Sequence, residues 1–138
     1  MQMHEPKAFI DTNVLLYLLS ADNDKADRAE MIVRTGGMIS VQVLNETANV
    51  ARRKLAMSWM ETNEVLELVR SVCSVVPLTI QTHDRGMVIS ERYGLSVLDA
   101  MIVAAALLGG CETLYSEDLR DGLLIDHQLR ISNPFIAS

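Results

Sequence analysis

"KAFIDTNVLLYLLS", residues 7–20, passes from a short apolar run into a longer one through Asp11, Thr12 and Asn13. "KAFID", 7–11, has the length and apolar content of a buried strand, and "NVLLYLLS", 13–20, that of a helix following it directly. The same alternation recurs along the chain. "GMISVQ", 37–42, "SVVPLTI", 74–80, and "ETLYSED", 112–118, read as further strands, and "LRISNPF", 129–135, as a last extended piece. Helices are expected over 23–37, 43–56, 58–73, 81–94 and 96–110, with Gly36-Gly37, Gly94 and Gly109-Gly110 as stops. Near-continuous apolar strands separated by helical patterns predict an α/β fold, a three-layer α/β/α arrangement around a central parallel sheet of four to five strands. In such sheets ligands bind outside the carboxyl ends of the strands, where strand turns into helix.

The rest of the composition narrows the function. At 138 residues, 49% hydrophobic and 22% charged, the chain reads as one globular domain over 1–138, with no linker, repeat or low-complexity run. "MQMHEPKAFID" lacks the basic and apolar segments of a secretory signal, and the apolar run from Ala100 to Leu108 is too short to cross a bilayer. A cytoplasmic protein without a membrane partner is expected. Cys73 and Cys111 stand far apart in apolar surroundings and read as reduced core thiols. A formal net charge of −6 argues against a surface that grips nucleic acid everywhere. It leaves room for a local basic site, and part of the surplus acid can be gathered around a divalent cation.

Acids do stand at the expected strand ends. Asp11 closes the first strand, Glu46 lies in the first turn or so of the helix after the second, and Glu117 and Asp118 follow "TLYS". Asp99 lies in the first turn of the helix that feeds that last strand. Carboxylates brought together repel, and hard divalent cations offset the repulsion, magnesium first and manganese next. One or two such ions can deprotonate a water and stabilise the charge that develops on a phosphodiester.

These fragments resemble the PIN-domain nucleases, and among them the VapC-type toxins of bacterial toxin–antitoxin pairs. The resemblance spans the chain and rests on "FIDTNVLLYLL", "VLNE", "LSVLDAMIVAAAL", "LYSEDL" and "ISNPF", in that order. It implies an endoribonuclease that hydrolyses RNA with Mg²⁺ or Mn²⁺ and a metal-activated water. The acidic quartet, both catalytic and metal-holding, would be Asp11, Glu46, Asp99 and Asp118, with Asn13 and Ser116 orienting it through hydrogen bonds. It further implies a homodimer and a small antitoxin partner that blocks the groove. Glu117, Asp121 and Asp126 are not carried over by the motif.

Other readings of the same residues stay open at this level. Ser96-x-x-Asp99 has the form of a capping box, as does Ser58-x-x-Glu61, and a capping acid needs no metal. Asp11 and Asn13 could serve as helix caps, Glu46 as a solvated acid, and Asp118 as a turn residue with Glu117 in its place. Arg52-Arg53-Lys54 is the densest basic run. Arg53, seven residues after Glu46 and on the same helix face, could reach a phosphate beside the scissile one, ahead of Arg28, Arg85 and Arg120. His4, His83 and His127 show no zinc-ligand spacing. A haloacid-dehalogenase-type phosphatase would need an acid where Asn13 stands, and a receiver domain needs an acidic pair and a late lysine that are absent. A PIN scaffold that binds RNA or a protein without cutting it is the remaining alternative.

Overall fold

The computed structural model describes residues 7–136. β1 (Ala8–Ile10) leads into α1 (Thr12–Leu16), extended by a 3-10 turn over Tyr17–Leu19, then α2 (Asn23–Arg34) and β2 (Met38–Ser40). α3 (Val41–Arg53) and α4 (Trp59–Val72) precede β3 (Ser74–Val76), and α5 (Ile80–Tyr93) and α6 (Val97–Leu108) precede β4 (Thr113–Tyr115). β5 (Leu124–Ile125) and β6 (Leu129–Ser132) close the chain.

The sheet order is β3-β2-β1-β4-β6-β5, parallel at every pairing except β5 with β6. The α/β class and the parallel core are those expected from the sequence, with a sixth strand added at one edge. That strand escapes sequence reading because it is two residues long and its turn uses Asp126 and His127 at φ 49° and 57°. Glycine or asparagine is the usual signal for such left-handed turn positions.

From β1 the chain steps outward through β2 to β3, then returns to the other side of β1 as β4. Right-handed crossovers therefore place α1 to α4 on one face of the sheet and α5 with α6 on the other. The reversal opens a crevice at the carboxyl ends of β1 and β4, where the register sets Ile10 beside Tyr115.

Each strand is short, so the layers on either side supply most of the burial. Phe9, Ile10, Ile39, Leu114 and Ile131 are fully buried along the sheet. α6 is buried from Ala100 to Leu107, which is why its sequence is apolar on every side. Gly86 of α5 lets α6 approach closely, since a β-carbon there would come within 2.5 Å of Met101 Sδ. Cys73 and Cys111 are free and buried, as expected of core thiols. Among the described residues no helix is long and apolar enough to cross a membrane.

Leu114 sits at the middle of β4 with no exposed surface. Leu114→Ala should lower the unfolding free energy by about 2–5 kcal/mol, measured by urea titration, because the sheet cannot collapse around the lost side chain.

Candidate active site

Asp11 lies one residue beyond β1, in extended backbone, and caps α1. It is only 6% exposed, and three donors hold its carboxylate. The Thr12 backbone N–H donates to Oδ1 at 2.7 Å, while the Ser116 hydroxyl and the Asn13 amide donate to Oδ2 at 2.8 and 3.2 Å. Asp11 is thus a helix cap and more than a cap. Capping occupies one oxygen, and the other is held from β4.

Ser116 is fully buried just past β4. Its hydroxyl accepts from the backbone N–H groups of Asp118 and Leu119 at 3.2 and 3.3 Å while donating to Asp11. Asn13 closes the same circuit, its Oδ1 accepting from the Glu117 N–H at 3.0 Å. The loop carrying Asp118 is thus tied to Asp11 by side chains more than 100 residues apart in sequence.

Asp99 separates the two meanings of its motif. In α4 the box is complete: Ser58 accepts from the Glu61 N–H at 3.0 Å, and Glu61 Oε1 accepts from the Ser58 N–H at 2.9 Å. In α6 only half forms. Ser96 Oγ accepts from the Asp99 N–H at 3.2 Å, and among the described residues no hydrogen bond reaches the Asp99 carboxylate. It is left half-buried and near enough to Asp11 to act on its charge, as does exposed Asp118.

Glu46 joins by a different route. α3 begins directly after β2, with the buried Ser40 as its cap, so Glu46 falls in the second turn rather than at the helix start. There its Oε1 accepts from the Thr12 hydroxyl at 3.0 Å. Thr12 is the residue that sequence reading passed over. Its only signal is a hydroxyl between Asp11 and Asn13, and its role depends on where α3 crosses α1.

The other acids near these strand ends have partners. Glu117, the rival to Asp118, accepts from the Tyr17 hydroxyl at 2.6 Å and pairs with Lys25 at 3.4 Å. Asp121 accepts from the Asn133 N–H at 2.8 Å, and Asp126 is held by Arg85, Arg92 and Tyr93. Arg28 donates to the Pro134 carbonyl, Arg120 is exposed, and Arg53 is exposed at the end of α3. His83 and His127 are exposed, and His4 lies outside the described residues.

Burial pushes the Asp11 carboxyl up to about 6, against the hydrogen bonds from Ser116 and Thr12, and Asp99 and Asp118 add to the rise. Among the described residues no three acids, histidines or cysteines are grouped closely enough to cage an ion between them. An all-oxygen set around one buried carboxylate fits a cation that takes one or two carboxylates directly and keeps waters elsewhere, which is the habit of magnesium. It does not fit zinc, which favours histidine and cysteine.

A carboxyl raised from 3.8 to about 6 binds its proton more tightly in the folded chain than in the unfolded one. Its effect is therefore a loss of stability as pH climbs from about 4 through 6, complete above 6 and worth about 3 kcal/mol. In chelator, Asp11→Asn should flatten that part of the stability–pH curve, which urea titrations between pH 4 and 7 measure.

The family model described as "PIN domain" matches residues 8–121. Among solved structures, the fold is similar to a toxin–antitoxin complex from Klebsiella pneumoniae, with 20% identity, 94% of this chain and 98% of that one covered, and a TM-score of 0.71. It is also similar to VapC20 of Mycobacterium tuberculosis, described as a sarcin–ricin loop cleaving toxin, with 21% identity, 81% and 90% covered, and a TM-score of 0.66. A third is FitAcB from Neisseria gonorrhoeae, with 14% identity, 93% and 98% covered, and a TM-score of 0.62. No curated protein matches the sequence. With the family model covering most of the chain and the crevice between β1 and β4 built as described, this protein belongs to the PIN-domain family.

Proposed function

We propose that the chain is a VapC-type toxin, a metal-dependent endoribonuclease that works as a cytoplasmic homodimer and is held inactive by a small antitoxin protein. The observation that carries this reading is the buried Asp11 carboxylate, fixed by three donors while Asp99 and Asp118 act on its charge, their own carboxylates without a partner among the described residues. An arrangement that raises the energy of a carboxylate at a strand end is hard to explain as scaffolding and is what a cation would relieve. An apolar trough of about 470 Å³, lined among others by Leu18, Val33, Val65, Leu68 and Val72, supports a protein partner. So does the likeness to toxin–antitoxin complexes.

In this reading Asp11, Glu46, Asp99 and Asp118 would hold Mg²⁺ or Mn²⁺, which when bound supplies a water deprotonated near neutral pH and offsets charge on the phosphate oxygens. The chain's own work is to keep those carboxylates still. Ser116 and Asn13 prevent Asp11 from swinging, and Thr12 restrains Glu46, so the site is set before RNA arrives. Ser116 also pins the start of the loop that presents Asp118. The nucleophile is water and not the substrate's 2′-hydroxyl, so the product carries a 5′-phosphate.

Protein freed of any inhibitor should cut structured RNA with Mg²⁺ or Mn²⁺, stop in chelator and leave 5′-phosphate ends; a 2′,3′-cyclic phosphate would overturn the mechanism. Asp99→Asn should abolish cleavage and leave metal-free stability unchanged or raised. Glu61→Ala, which removes the acid of the completed capping box, should lower the melting temperature and leave cleavage intact. Cleavage assays beside thermal melts in chelator distinguish the two kinds of acid.

A further inference from the structure

The outer side of α3 carries a cleft that the acidic centre does not use. Asn45, Ala48, Asn49, Arg52 and Arg53 line it together with Trp59, the first residue of α4, around a space of about 490 Å³. With α3 turning 100° per residue, Glu46, Arg53, Asn49, Asn45, Arg52 and Ala48 follow one another within about 160° of its surface. Glu46 is thus the border between the acidic centre and the cleft.

The cleft is built as well as open. Arg52 donates from Nη1 to the Met57 carbonyl at 2.6 Å, and its guanidinium carbon stands 4.0 Å from the Trp59 ring centroid. The ring is held by that cation–π contact yet remains 65% exposed. Arg53 is exposed, and among the described residues no carboxylate pairs with it. Among the described residues no acid lines the cleft, in a chain whose net charge is −6.

An aromatic plate, two guanidiniums and two side-chain amides beside a phosphodiester-cleaving centre match the chemistry of one unpaired nucleotide. Aromatic rings stack on any base, arginine takes phosphate, and amides read base edges. We propose that this cleft is a subsite for a single-stranded stretch of RNA flanking the scissile bond, with a base on Trp59, a phosphate at Arg53, and Asn45 and Asn49 on the base edge. The proposal rests on the ribonuclease reading for its position next to Glu46. Charge decides against a protein occupant, because the cationic lining suits a polyanion on a chain that otherwise repels one.

Trp59 is the chain's only tryptophan, so its emission reports on the cleft directly. Eight-nucleotide oligouridylate and oligoadenylate are titrated into the full chain in chelator, where no cleavage occurs, with anisotropy of labelled RNA as a second readout. Saturable quenching is expected, and Trp59→Ala should weaken binding by on the order of ten-fold, with Trp59→Phe recovering part of it. Arg53→Ala should weaken binding and make the log–log salt slope shallower by one contact, about 0.7. RNA binding seen by anisotropy without quenching, or an unchanged slope and affinity in both variants, would overturn the subsite. So would emission that depends on protein concentration without RNA, together with Trp59→Ala turning a dimer into monomers at unaltered RNA affinity. That result would give the face to a second copy of the chain. Quenching without any cleavage in Mg²⁺ supports the subsite and refutes the activity, so the two readings fail separately.

Discussion

The bond from Ser116 Oγ to Asp11 Oδ2, 2.8 Å long and fully buried on the serine side, is the constraint around which the sheet edge is organised. A serine hydroxyl has one proton to give and two lone pairs. Here the proton goes to Asp11 and the oxygen accepts from the Asp118 and Leu119 N–H groups and, at 3.4 Å, from the Asn13 amide. Because a buried carboxylate left unpaired is costly, β1 and β4 must keep their register and the loop after β4 must keep its turn for that oxygen to be satisfied. The same bond delivers Asp118 to the crevice. Stability and site geometry share one hydroxyl.

Around this centre the acids divide by whether they have partners. Glu117 is taken by Tyr17 and Lys25, Asp121 by the Asn133 backbone, and Asp126 by two arginines and a tyrosine of α5. Among the described residues no donor reaches the carboxylates of Asp99 and Asp118, whose charges act on Asp11. Formal net charge thus misdescribes the local field. Part of the −6 is spent inside structural pairs, part is concentrated at one crevice, and the adjoining face of α3 carries guanidiniums without acids.

Two copies of one short motif show how far sequence reasoning reaches. Ser58-x-x-Glu61 and Ser96-x-x-Asp99 make the same local promise, and both serines do cap their helices. Only Glu61 returns the bond. The aspartate is one methylene shorter and stands close to Asp11, and its carboxylate remains outside the box. Nothing within four residues distinguishes a fully capping acid from one left for other work.

The alternation of strands and helices apart from β5, the parallel core and the position of Asp11 at the end of β1 and of Asp99 in the first turn of α6 are legible in the residues alone. Those features follow from periodicity, caps and turn residues, which act over a few positions. Tertiary structure decided the rest. The Thr12–Glu46 bond spans 34 positions and the Asp11–Ser116 bond 105, distances over which local propensity is silent and only the crossing of helices and the strand register speak. The β5–β6 hairpin exists because Asp126, held by α5, accepts a left-handed backbone without a glycine. The cleft on α3 exists because α4 happens to begin with its tryptophan against Arg52. Which acids stay free and which are consumed is a property of packing, since a carboxylate's role is set by the donors that reach it.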